Sequence, residues 1–300
     1  MVGMRRENEK LVRKIKNEVK TIKQKINEFI RSLKFKEITK KSYFYDLNDF
    51  RKYLEKREID YLNIESSMQQ EIIDKYLRNL KENKSYQAKT VNRRCISLDK
   101  FNNYLGIEGV KAKYLKIQKQ IYLEDIITQE EVKKILAYCK DKRDRAIFIA
   151  LGYTGVRVSE LLKIELKDIN SKEIDIEGKY SKHRKVFLSK DLRVALKEYS
   201  IERPKSKEKK LFLNHAGKVL TRQGIDYIIK KYARKSHIQI EKAHAHNFRH
   251  MFCKSLVDKN VPLNKIADLA GHDNIQTTRI YTVGTKKDLE NTIADTFNFI

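Results

Sequence analysis

From Leu11 to Leu33 the apolar residues return at every third or fourth position: Leu11, Ile15, Val19, Ile22, Ile26, Phe29 and Leu33. That interval is the pitch of an α-helix with one buried face. Only two prolines stand among 300 residues to interrupt such patterns, so the chain is confined largely to helices joined by turns. The spacing predicts one long amphipathic helix across this stretch, with residues 1–25 as a basic N-terminal extension. A second helix is expected at Thr39–Tyr53, with Tyr43, Leu47, Phe50 and Leu54 inward, and a third at Met68–Leu80. A fourth, Thr90–Leu105, should turn Ile96, Leu98, Phe101 and Leu105 inward and Arg93, Arg94 and Lys100 outward. Residues 26–107 therefore read as a helical domain, and the lysine-rich 108–123 as a basic linker.

Residues 124–300 carry a different pattern. Thr128 followed by Glu131 forms a capping-box pair, opening a helix expected to reach Cys139. Arg145–Leu151 reads as an apolar helix that stops at Gly152, and a new helix starts at Val156. Glu173–Glu177 alternates apolar and polar residues, and Lys185–Leu188 can pair with it as a β-hairpin. Helices are expected again at Asp191–Tyr199, Thr221–Lys235, Ala245–Lys259, Asn264–Ala270, Asn274–Tyr281 and Asp288–Phe299. The fold class expected is mainly α with a small β-sheet, in two domains.

Charge narrows the partner. Lys and Arg outnumber Asp and Glu by 26, a balance that favours a polyanion over an ordinary metabolite. The excess is shared: residues 1–123 carry +14 and residues 124–300 carry +12. Two basic bodies suggest a clamp that grips a duplex from two sides, where a basic tail would have left one half neutral. No stretch approaches the roughly 18 apolar residues of a membrane span, and the first residues lack the apolar segment of a secretory signal. Cys95, Cys139 and Cys253 are scattered and include no C-x-x-C pair. Free thiols in a reducing cytoplasm are therefore expected.

Four short segments carry chemistry-bearing residues. Thr154-Gly155-Val156-Arg157-Val158-Ser159-Glu160 places an arginine just after a tight turn, at a helix start. Gly178-Lys179-Tyr180-Ser181-Lys182-His183-Arg184 spans the hairpin turn. His246-Asn247-Phe248-Arg249-His250 puts His246 and Arg249 one helical turn apart. Leu269-Ala270-Gly271-His272 is followed nine residues after the histidine by Tyr281, in Thr278-Arg279-Ile280-Tyr281. Together, and in this order, these boxes resemble the phage-integrase family of tyrosine recombinases, in the size class of its Xer-type members. Thr90-Val91-Asn92-Arg93-Arg94 and Tyr43-Phe44-Tyr45-Asp46-Leu47 extend the resemblance upstream, to the family's core-binding domain.

The resemblance implies a site-specific DNA recombinase that breaks and rejoins strands through a 3′-phosphotyrosyl intermediate, with no cofactor and no metal. A phosphotyrosyl ester conserves the energy of the broken phosphodiester. Tyr281 is then the nucleophile, and Arg157 and Arg249 hold the non-bridging oxygens, as planar guanidinium forks suit phosphate. His246 is a proton-transfer group acting on the Tyr281 hydroxyl or on an intervening group, and His272 donates a hydrogen bond to phosphate. Lys179 protonates the departing 5′-oxygen, with Lys182 the competing candidate. Glu160 would orient Arg157 or His246. Arg93, Arg94, Lys182 and Arg184 are the expected DNA contacts. The implied partners are a double-stranded recombination site and three further copies, joined into a tetramer through a C-terminal helix whose stripe is Leu289, Ile293, Phe297 and Ile300.

Other readings compete. His244, His246 and His250 have spacings that suit zinc, yet apart from His272 no further ligand follows at a suitable spacing, and Arg249 would repel the cation. A type IB topoisomerase would use the same tyrosine chemistry. A catalytically silent DNA-binding relative would share the fold without turnover. Chromosome-dimer resolution, transposon resolution, phage integration and conjugative-element excision all fit the architecture, and the lack of a long arm-binding domain favours the resolving systems.

Overall fold

The computed structural model describes residues 21–57, 68–117, 126–177, 183–272 and 274–282. The chain divides into two compact units, one ending at Lys119 and the other beginning at Gln120. Each has its own buried apolar core.

The first unit contains α1 (Ile22–Ser32), α2 (Glu37–Lys56), α3 (Gln70–Glu82) and α4 (Ala88–Leu105). The single helix expected from Leu11 to Leu33 does not run through Thr21. Thr21 has an extended backbone and caps α1 in a capping box, its N–H donating to Gln24 Oε1 at 2.8 Å. That reciprocal pair satisfies helix-start donors and so fixes a start where apolar periodicity alone saw continuity. Ile22, Ile26 and Phe29 of α1 meet Leu47, Phe50 and Leu54 of α2, Ile73, Tyr76 and Leu80 of α3, and Val91, Leu98 and Phe101 of α4.

The inward face of α4 differs from the expected one. Val91, Arg94, Cys95, Leu98, Phe101 and Asn102 are buried, while Ile96 is 42% exposed. Arg94 therefore points into the core and is not an outward DNA contact. Its Nη1 donates to Tyr76 Oη at 2.8 Å and to Asp49 Oδ2, and Tyr76 Oη donates to Asp49 at 3.0 Å. A buried cation needs a paired carboxylate, and Asp49 on α2 is a long-range partner that no local pattern announces. Arg93 stays half-exposed, its guanidinium bridging Asp46 at 2.8 Å and the Ser42 hydroxyl at 2.7 Å.

The second unit is built around α6 (Lys142–Thr154), whose residues from Ala146 to Leu151 are all buried. Before it comes α5 (Gln129–Tyr138), opened by the expected Thr128/Glu131 capping box. After it come the single turn α7 (Val158–Leu161) and a 3₁₀ turn, Leu166–Asn170. Strands β1 (Glu173–Glu177) and β2 (His183–Phe187) pair antiparallel, with Ile174 opposite Val186 and Ile176 opposite Arg184. Ile174, Ile176 and Val186 are buried, so one face of the hairpin lies on the core. Helices α8 (Lys190–Glu202), α9 (Arg222–Lys235), α10 (Ala245–Asp258) and α11 (Leu263–Ala270) follow. The described chain ends in a short α12 (Gln276–Arg279) and a 3₁₀ turn, Ile280–Thr282. The expected mainly α fold with a small sheet is thus the observed one. Among the described residues no helix is long and apolar enough to cross a membrane.

Candidate active site

Helix α6 must end abruptly to put Arg157 at a helix start, and Gly155 makes that end. It closes α6 with φ +56°, in the left-handed region, and a Cβ there would sit 2.4 Å from the Phe252 ring. Both the backbone angle and the close approach of α10 require glycine. Two residues on, Arg157 is the N-cap of α7, and Glu160 returns along that turn to bond it twice. Glu160 Oε2 accepts from the Arg157 N–H at 2.9 Å, and Oε1 accepts from Arg157 Nη1 at 2.8 Å.

Glu160 is not the surface carboxylate that a short helix would suggest. It is 5% exposed and also accepts from Arg184 Nη2 at 2.8 Å. Burial would raise its pKa, but the Arg157 backbone N–H, Arg184 and the Arg157 side chain outweigh that and hold it below the ordinary carboxylate value. Arg184 in turn donates to the Leu269 carbonyl, and Arg157 Nη2 to the Gly271 carbonyl at 3.1 Å. One carboxylate thereby fastens α7, β2 and the C-terminal end of α11 together. Arg184, expected as a DNA contact, is consumed in this bridge: its side chain is 12% exposed.

Helix α10 supplies the next pair. His246 and Arg249 face a cleft of about 440 Å³ that Arg157 also lines, together with Val156, Ser159 and Arg222. Arg249 is 1% exposed and donates to the Gly155 carbonyl at 2.8 Å. Its Nη2 is buried with no acceptor among the described residues, a costly arrangement for a charged donor. Burial, then Arg157, lowers its pKa to about 10, so the guanidinium remains charged at neutral pH. Burial, then Arg249, His244 and Arg157, lowers the pKa of His246. Arg249, with its unpartnered Nη2, and Arg157 on the same cleft suit an anion with several oxygens.

Tyr281 and His272 lie beside these groups. Gly271, at φ +67°, ends α11 and lets the chain turn closely past Arg184. The His272 and Tyr281 rings are nearly parallel, with centroids 6.3 Å apart. His272 Nδ1 pairs with Thr278 Oγ1 at 2.7 Å. When that hydroxyl donates, the ring proton sits on Nε2, ready to donate onward. Burial first, then Arg249 and Arg157, lowers the His272 pKa to about 4. Tyr281 is 1% exposed, and burial, followed by Cys253, raises its pKa.

The Tyr281 hydroxyl is held by His250, at 2.9 Å from Nδ1, and not by His246. In the sequence, His250 closes the His246–His250 box and offers zinc a third histidine. Its i, i+4 relation to His246 was the available signal. Arg222 was missed altogether, since it follows the Thr221 cap in a segment with no recognisable motif. Lys179 and Lys182 lie outside the described residues, as does the expected C-terminal helix. Among the described residues no three His, Cys, Asp or Glu side chains gather as a metal-binding group.

Residues 125–287 match the Phage integrase family, and residues 26–109 match the N-terminal SAM-like domain of phage integrases. The chain is 30% identical over 258 residues to the TnP I resolvase of Bacillus thuringiensis, covering 80% of this chain and 88% of that protein. It is 30% identical over 277 residues to the tyrosine recombinase XerC of Listeria innocua, covering 86% and 91%. A solved XerH site-specific recombinase bound to its difH substrate in a pre-cleavage complex aligns with a TM-score of 0.67 at 25% identity, over 82% of this chain and 77% of that one. Matching the family over residues 125–287 and its N-terminal domain over residues 26–109, with relatives that align across both units, the chain belongs to the phage integrase family, the tyrosine recombinases.

Proposed function

We propose that this protein is a site-specific DNA recombinase that cuts and rejoins duplex DNA through a 3′-phosphotyrosyl link. The observation that carries this reading is the convergence of Arg157, His246 and Arg249 on one cleft, beside Tyr281 and His272. The relatives support it, being named resolvases and recombinases, and one is solved on its DNA substrate.

In this mechanism the Tyr281 oxygen attacks the scissile phosphorus and the P–O5′ bond breaks. Arg157 and Arg249 bind the non-bridging oxygens and stabilise the added charge of the pentacoordinate transition state. His272 donates from Nε2 to a phosphate oxygen. Lys179, or Lys182 three residues later, gives a proton to the 5′-oxygen. Rejoining reverses each step, so no cofactor is consumed. The basic character of both halves supports a two-domain grip on the duplex, with residues 26–107 and 124–300 as its domains and 108–123 as the connection. The apolar stripe at 289–300 supports tetramer assembly through the C-terminal helix, and three free, buried thiols fit a cytoplasmic setting.

A nicked suicide duplex, which loses the strand needed for rejoining, tests this directly. Wild-type protein should become covalently attached to it. Tyr281→Phe should bind equally well and form no adduct. An adduct from Tyr281→Phe would transfer the nucleophile's role to another tyrosine, and binding without attachment by the wild type would mark a silent relative.

A further inference from the structure

A tyrosine attacks phosphorus only as its phenolic proton leaves, and the surroundings of Tyr281 make that departure costly. The side chain is 1% exposed among Cys253, Ile266 and Ala270. None of the cleft-lining residues is its hydrogen-bond partner. His250 is, at 2.9 Å through Nδ1, with the Cys253 thiol also hydrogen-bonded to the hydroxyl. That is proton-transfer distance, and in the tautomer with Nε2 protonated the phenol donates and Nδ1 accepts. One turn back on α10, His246 packs edge-on against His250 with ring centroids 4.4 Å apart, and His246 lines the cleft. His250 thus lies between the buried hydroxyl and a cleft-lining histidine.

We propose that His250 takes the phenolic proton of Tyr281 during strand cleavage and returns it during rejoining. The proposal rests on Tyr281 being the nucleophile. The step balances as follows: the Oη–H bond breaks as the Oη–P bond forms, and the proton moves to Nδ1. The P–O5′ bond breaks, and the 5′-oxygen takes a separate proton from the lysine acid. His250 becomes a cation as that lysine becomes neutral, so the protein's total charge is unchanged until solvent resets both. The ionisable groups beside His250 are His246 on α10, Tyr281 on the last 3₁₀ turn and His272 after α11.

The test isolates nucleophile activation by replacing the bridging 5′-oxygen with sulfur, a leaving group that needs no proton. Full-length protein and a nicked duplex are used, and adduct formation in a single turnover is followed against pH. For wild type the rate should rise with pH to a plateau as His250 loses its proton. His250→Ala should be slower by roughly 10²-fold, should climb without a plateau, and should recover partly in added imidazole. His250→Gln, which keeps a hydrogen-bonding group but no base, should stay slow while binding DNA normally. A full rate for His250→Gln would reduce the residue to positioning and overturn the proposal. So would loss of the pH limb in Cys253→Ser with its retention in His250→Ala. Lys179→Ala should be slow on ordinary DNA yet keep the limb on the sulfur strand, because it acts on the other oxygen. An adduct mapped to a tyrosine other than Tyr281 would instead bring down the reading of the nucleophile.

Discussion

Glu160 shows how much one side chain organises here. It neutralises Arg184 and orients Arg157, the two cations that in turn hold the Leu269 and Gly271 carbonyls. Glu160→Gln keeps the shape but leaves Arg184 without its counter-charge at 12% exposure. Removing one partner of a buried pair costs roughly 3–5 kcal/mol, so urea melts should show a loss of about 3 kcal/mol, with adduct formation falling further than DNA binding. Acid should act on the same residues in two stages. His272 has a folded pKa of about 4, below the ordinary 6.5 of histidine. The unfolded chain therefore binds the extra proton first, and stability falls as pH drops from about 6.5 to 4. Glu160 is also depressed, below 4.5, so its contribution is present above that value and is lost as pH falls further. Melting temperature measured against pH should show both limbs, the upper one flattened in His272→Gln and the lower one in Glu160→Gln.

At the scale of elements, the site depends on where helices stop. Gly155 ends α6 and Gly271 ends α11, each with a left-handed backbone and a neighbour too close for a Cβ. These two stops bring Arg157 and His272 to the same place although 114 residues separate Arg157 from its Gly271 partner. The terminal element is a separate matter. Leu289, Ile293, Phe297 and Ile300 recur at helical intervals beyond Tyr281, and an apolar stripe needs a surface to cover it. If that surface belongs to another copy, deleting residues 288–300 should leave folding and single-site binding intact and abolish the paired-site complex in gel-shift and light-scattering measurements. A truncated protein that fails to fold would show that residues 288–300 are needed by their own chain.

The whole molecule carries its charge evenly, +14 on residues 1–123 and +12 on residues 124–300. A protein that neutralises more phosphates releases more counterions, so its affinity falls more steeply with salt, the log–log slope changing by roughly 0.9 per contact. Residues 124–300 contain an independent core. This fragment should bind the target duplex more weakly than the full chain and with a shallower slope, each measured by anisotropy titration across a salt series. Equal slopes would rule out a grip shared by both halves.

Much of this was legible in the residues. Apolar periodicity located α2, α3 and α4 and most helices of the second unit, because burial of one face is a local, repeating demand. The Thr128/Glu131 box marked the start of α5 for the same reason. The four motif boxes pointed to Arg157, His246, Arg249, His272 and Tyr281, since each box is a short segment with its own spacing. What the tertiary structure alone decided was direction and partnership. Arg94 turns inward because Asp49 and Tyr76, from two other helices, neutralise it. Arg184 belongs to Glu160, 24 residues away, and to Leu269, 85 away. The Tyr281 hydroxyl rests on His250, 31 residues earlier in the chain. Hydrogen bonds and ion pairs act over about 3 Å of space with no regard for separation along the chain, so a cation's partner is set by packing and leaves no periodic trace in the sequence.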